Sequence, residues 1–202
     1  MGIFKTSKET SMSLQDIAKH LKKEKFYVLS PTKLKYVTNI TQKSTFLKPH
    51  GLWFACGDAW IQFITGEQYA PHEYKYIYEV KLRKKHILTI NTLAQLHDFQ
   101  KQYGHTEQVK HLDYGKLLFE KRKVYIVQEY HYIDWKKVQD AGYTGVVICP
   151  FLLNKIYITT KNIAQHFWYW MWDIASGVVW NKDAVKQVSL LYQNENGWKI
   201  HT

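Results

Sequence analysis

The densest run of chemically capable side chains in this 202-residue sequence is Phe167-Trp168-Tyr169-Trp170-Met171-Trp172, followed by Asp173 and Ser176. Exposed aromatics in such a run offer a stacking platform for a base, a nicotinamide or an adenine ring. At helical spacing, Trp168 and Trp172 instead share one face with Met171, which suits a packed core. Asp173 and Ser176 read either as a ligand-binding pair or as cap and turn residues.

The cysteines and histidines are the next candidates. Cys56 sits beside a Gly57-Asp58 turn, where a helix N-terminus lowers a thiol pKa, and His50 is the nearest base in sequence. The alternative is a small buried apolar side chain. Cys149 is far away and no CxxC occurs, so a disulfide framework is not expected and a reducing, intracellular home, cytoplasmic or nuclear, is. None of the ten histidines falls in HExxH or a His/Cys zinc spacing, so no metal site is expected. GxxxxGK[ST], GxGxxG and GxSxG are all absent.

Residues 1–12 read as a polar tail and 13–202 as one α+β domain. Ser13 caps a helix carrying Leu14, Ile17, Ala18 and Leu21 that is expected to end near Lys25. Phe26 to Ser30 reads as a strand. Thr32 is expected to cap a second helix through Leu34, Val37 and Ile40. Gly51 to Ala55 is a short apolar strand, and Asp58 caps a helix with Trp60, Ile61 and Ile64. Tyr76 to Leu82 alternates as a half-buried strand. His86 to Ile90 is another strand, and Asn91 or Thr92 caps a helix with Leu93, Leu96 and Phe99. Residues 104–123 carry little pattern and read as a loop. Val124–Val127 reads as a strand, Ile133–Asp140 as a helix, and Gly145–Cys149 as a buried strand ended by Pro150. No repeat period is present.

Charge is concentrated at one end. Residues 1–50 hold ten lysines against Glu9, Asp16 and Glu24, a net of +7 within a total of +11. Such an excess favours nucleic acid, anionic lipid or another anionic ligand, and equally serves solubility. The apolar and aromatic content excludes a disordered or collagen-like chain. No apolar run approaches the roughly 18 residues of a membrane span. No secretory leader is expected. Met1-Gly2-Ile3-Phe4-Lys5-Thr6 fits the short N-myristoylation pattern at Gly2, which would give marginal membrane association.

Residues 26–82 resemble the first half of an ADP-ribosyltransferase domain of the poly(ADP-ribose) polymerase type. The residues that carry the resemblance are Tyr27-Val28-Leu29-Ser30-Pro31-Thr32, then Gly51-Leu52-Trp53-Phe54-Ala55, then Tyr78-Glu79-Val80-Lys81-Leu82. In that family a strand ends at a His-Gly-Ser/Thr motif and runs into a helix. A Gly-Ile-Tyr-Phe-Ala-like strand, a helix and a Glu-Val-Ala-Leu strand follow. Ser30 stands where the family has the His that holds the cofactor ribose, and Pro31 where it has Gly. Other branches of the fold use Arg or Ser at the first position.

The resemblance implies a split mixed or antiparallel sheet with flanking helices and NAD as cofactor. By order along the chain, Glu129 corresponds to the family's catalytic Glu. Breaking the nicotinamide–ribose bond builds positive charge on the ribose, which a nearby carboxylate stabilises. The cofactor-binding positions implied are Ser30, Thr32, Gly51, Trp53, Phe54 and Tyr69. Backbone amides near Gly51 would meet the carboxamide, and Lys33 or Lys48 the pyrophosphate. The expected activity is transfer of ADP-ribose to protein or nucleic acid. The other reading of the same residues is a non-enzymatic basic module that binds nucleic acid or another anionic ligand.

Overall fold

The computed structural model describes residues 12–35, 37–44, 47–69, 71–159, 166–195 and 197–201. It is an α+β chain with strands of mixed sense, as the sequence predicts, and it divides into two compact units. The Gly2 pattern and nearly all of the expected polar tail lie outside the described residues. Met12, at the end of that tail, is described, and its amide donates to the Trp198 carbonyl at 3.1 Å.

The first unit comprises residues 1–36, 54–82 and 186–202. Helix α1 (Leu14–His20) begins with a capping box: the Ser13 hydroxyl accepts from the Asp16 amide at 3.1 Å, and the Ser13 amide donates back to the Asp16 carboxylate. The helix stops at His20 rather than near Lys25, because Leu21 turns extended. Leu14, Ile17, Ala18 and Leu21 exhaust the buried set, and the lysines beyond have no apolar face to dock.

Strand β1 (Phe26–Ser30) pairs antiparallel with β2 (Leu52–Cys56) on one side and with β3 (Tyr76–Leu82) on the other. Between β2 and β3 lies α2 (Ala59–Gly66). The core of this unit joins α1 and α2, through Ile17, Ile61 and Ile64, to Tyr27 and Ile77. Contrary to the half-buried expectation, Ile77 to Val80 are all buried. Glu79 tolerates this because its carboxylate takes the Lys25 ammonium at 2.7 Å, which raises the Lys25 pKa.

The helix expected from Thr32 does not form. The Leu34 amide donates to the Tyr78 hydroxyl at 3.2 Å, within this unit. In the second unit the Ile40 amide donates to the Trp180 carbonyl at 2.8 Å, and the Gln42 amide to the Gln139 side chain. Backbone donors that a helix would use internally are committed to tertiary partners, and the β-branched Thr32, Val37, Thr38 and Ile40 weaken the helical alternative.

The second unit comprises residues 37–53 and 83–185. Strand β4 (Ile87–Ile90) runs parallel to β7 (Gly145–Ile148), which runs antiparallel to β8 (Ser176–Val179). Helix α3 (Leu93–Tyr103) leads directly into β5 (Gly104–Leu112). Helix α4 (Tyr114–Glu120) then joins β5 to β6 (Tyr125–Ile133), and the two strands make a nine-pair antiparallel ribbon, from Gly104↔Ile133 to Leu112↔Tyr125. Residues 104–123, read from sequence as a loop, are therefore mostly strand and helix. The ribbon is exposed over much of both faces, so it carries no alternation to read. The expected strand at Val124 extends to Ile133, and α5 (Trp135–Asp140) starts two residues later than predicted, behind the Asp134 cap. Helices α6 (Leu153–Thr159) and α7 (Phe167–Trp170) complete this unit. In the first unit, β9 (Val185–Asn194) supplies residues from Lys186 onward and pairs antiparallel with β10 (Trp198–Ile200).

The aromatic run resolves into core. Trp168, Tyr169 and Trp172 are fully buried among Phe99, Trp135 and Ile133, and the Trp135 and Trp172 rings lie 6.0 Å apart. Their faces are covered, so the stacking-platform reading fails for these three. Trp170 alone in the cluster is substantially exposed, at 45 %. Neither cysteine is free: Cys56 and Cys149 are both disulfide-bonded, which overturns the expectation of lone reduced thiols. Wide spacing along a chain carries no information about pairing. No helix among the described residues is long and apolar enough to cross a membrane.

Candidate functional site

The residues carried by the family resemblance fall in both units. In the first unit, Ser30 is buried and its hydroxyl donates to the Thr32 carbonyl at 2.6 Å while accepting the Thr32 amide. Ser30 and Thr32 are thus joined through a local turn, with Thr32 exposed. Phe54 is 2 % exposed and packs on Phe26, with ring centroids 4.9 Å apart, so it serves the core rather than a ligand face. Tyr69 is open to solvent.

In the second unit, Gly51 has a positive φ of 159°, and a Cβ there would lie 2.3 Å from the Val179 carbonyl oxygen. Only glycine permits that approach. Trp53 is half-buried, and its indole N–H donates to the Pro49 carbonyl. Its ring meets Trp172 edge-on at 4.8 Å, and the Lys48 ammonium lies 5.6 Å from its centroid. Lys48 is ion-paired with Asp173 at 2.7 Å, so its charge is already partly matched. Ser176 is buried and donates to the Ile174 carbonyl, a turn role. Glu129 is exposed on β6 opposite Gln108.

A different cluster forms a cavity of about 370 Å³ in the second unit. It is built from the last turns of α3, the start of the ribbon and the entry to α7. The Thr92 hydroxyl caps α3 by accepting from the Gln95 amide at 3.2 Å. Leu96, Phe99 and Tyr103 then bury one stripe of the helix. That stripe fixes the facing of His97, Gln100 and Lys101, which line the cavity. Gly104 ends the helix at a point where a Cβ would meet the Gln100 carbonyl at 2.3 Å. The chain can therefore turn into β5 and bring His105 and Thr106 to the cavity wall, with His131 opposite Thr106 in the ribbon register.

The fourth imidazole is His166, just before α7. It is 4 % exposed, and among the described residues neither ring nitrogen has a hydrogen-bond partner. Its neighbours hold it in place: Phe167 packs against Tyr130 at 4.7 Å, and the Trp168 indole N–H donates to the Gln100 side chain at 2.9 Å. The His97 and His166 rings are 5.2 Å apart. Burial, reinforced by His97 and His131, pushes the His166 pKa down to about 4. His105 is distinguished by a partner, Glu107, at 3.1 Å, and by stacking on Tyr132.

This cavity escapes a reading by motif, because its histidines come from four separate stretches. The one local signal is the four-residue spacing of His97 and Lys101, which places both on one side of α3. No group of three or more His, Cys, Asp and Glu among the described residues is arranged to hold a metal ion. Comparison of the chain with protein-family models, curated proteins and solved structures finds no match.

Proposed function

We propose that this chain is an ADP-ribosyltransferase-like protein that takes NAD and transfers ADP-ribose to protein or nucleic acid. One observation carries the reading: the order β1–β2–α2–β3, with Gly51 opening β2 and Glu79-Val80-Lys81-Leu82 closing β3. That order follows the family pattern strand by strand, and β1 pairs antiparallel with both of the others. The helix that the pattern has after the first strand is missing here. Transfer of label from NAD to an acceptor, lost in Glu129→Gln with the fold intact, supports the activity; transfer that survives the substitution removes Glu129 from the reaction.

Two observations favour a second reading, a non-enzymatic module for nucleic acid or another anionic ligand. The Ser30 hydroxyl is engaged with its own turn, and Glu129 stands on an exposed ribbon. Binding driven by the basic surface weakens steeply as salt rises, whereas NAD held by a shaped site depends on salt much less. The intracellular setting, cytoplasmic or nuclear, is an expectation from lone reduced thiols, and that ground is gone. The disulfide-bonded cysteines add the requirement that the protein meet oxidising conditions.

A further inference from the structure

We propose that the histidine-lined cavity of the second unit is a binding site for a phosphate group. The cavity has the size of a small-ligand site, about 370 Å³. Its wall is donor-rich: the Lys101 ammonium, the Thr106 hydroxyl and imidazoles from His97, His131 and His166. None of the described residues lining it is a carboxylate, and Glu107, on the same strand as His105, is engaged with that ring. A cavity with one fixed cation, several N–H and O–H donors and no acid is complementary to an anion with many acceptor oxygens.

His166 supplies the independent sign that something belongs there. A buried imidazole with both nitrogens unpartnered is rare, because such groups find partners in a folded protein or in a ligand. His166 lines the cavity, and an oxyanion bound there would offer its ring the acceptor it lacks once a nitrogen now covered turns toward it. A phosphate also suits the spread of donors over α3, β5, β6 and the entry to α7, since its oxygens point in several directions at once. A metal ion is a poorer occupant, given that no ligand group among the described residues converges for one.

The charged and titratable groups that line the cavity with His166 are His97, Lys101, His131 and His105, the last paired with Glu107. An anion in their midst is held by the Lys101 ammonium and by imidazole N–H donors. The proposal does not rest on the NAD reading, and the two are tested with different probes.

The experiment follows the histidine ring signals of the full chain by NMR during titration with inorganic phosphate, with sodium chloride at matched ionic strength as the control. The expected result is saturable movement of the His97, His131 and His166 signals by phosphate and not by chloride. Lys101→Met weakens the response at least tenfold, while Lys186→Met, at an exposed position of the first unit, leaves it unchanged. His166→Asn guards against misfolding: it retains a polar side chain, and a melting curve verifies its fold before its weakened binding is read. Adenosine diphosphate forms a second arm. Tighter binding than phosphate identifies a nucleotide-borne phosphate, and equal binding identifies the free ion. Movement of the ring signals that never saturates, that chloride reproduces, or that Lys101→Met does not weaken overturns the proposal. NAD failing to bind while phosphate binds here would overturn only the NAD reading.

Discussion

His97 and His166 meet ring to ring, with centroids 5.2 Å apart, although one belongs to an exposed turn of α3 and the other is 4 % exposed. Two imidazoles at that distance cannot both carry a proton cheaply, and His166 is the one that burial keeps neutral.

Acid stability follows from that relationship. The His166 pKa is about 4 in the folded chain against 6.5 unperturbed. Above pH 6.5 the ring is neutral in both states and contributes no pH dependence. Between 6.5 and 4 the unfolded chain binds a proton that the folded chain refuses, so stability falls as pH falls. Going from pH 7.5 to 4.5 removes about 2 to 3 kcal/mol through this residue. Urea unfolding at the two pH values measures it, and His166→Phe, which cannot titrate, loses less by that amount. Identical pH dependence in the two proteins contradicts the assignment.

The glycine that opens β2 allows a sharper contrast. Gly51→Ala forces a Cβ to within 2.3 Å of a backbone oxygen at a positive φ, and destabilises by about 2–4 kcal/mol. Gly142 also has a positive φ, 90°, but open space where its Cβ would go. Gly142→Ala therefore costs only the backbone strain, about 1 kcal/mol. Thermal or urea denaturation of both variants separates the two effects, and equal losses would mean that the close approach at Gly51 is not real.

The aromatic run divides in the same way. Trp172→Ala empties a fully buried site and costs about 3–5 kcal/mol. Trp170→Ala touches a ring 45 % exposed and changes stability by less than about 1 kcal/mol. Denaturation midpoints check this, and comparable losses at the two positions would contradict the packing.

These contrasts show which parts of the molecule are legible in its sequence. Strands Phe26–Ser30 and Tyr76–Leu82 and the Ser13 and Thr92 caps are local, and local residue choice specifies them. The ribbon is not legible, because a two-stranded element exposed on both faces needs no apolar alternation. The segment from Thr32 through Ile40 is misread as helix, because the Leu34 and Ile40 amides are satisfied by Tyr78 and Trp180, each remote in sequence. The cavity is hidden for the same reason: His97, His105, His131 and His166 acquire a common meaning only through tertiary contacts. Among the transferase-like positions, the pattern Gly51 to Phe54 is legible as strand, but Phe54 is spent on the core.

The state of the cysteines is directly measurable. With Cys56 and Cys149 both disulfide-bonded, the denatured protein takes up no thiol reagent until a reductant is added, and then takes up two. Cys56→Ser lowers stability by about 2–4 kcal/mol. Uptake without reductant contradicts the disulfide-bonded state.

The most direct test of the transferase-like reading is the melting temperature of the purified chain across an NAD titration. Specific binding to the folded state stabilises by about 2.7 kcal/mol at one hundred times Kd, which raises Tm by about 5–10 °C and saturates as a single-site curve. That saturating rise, unaffected by moderate salt, is expected of a folded chain that holds NAD in a shaped site. An unchanged Tm at millimolar NAD contradicts it and leaves the anionic-ligand reading in its place.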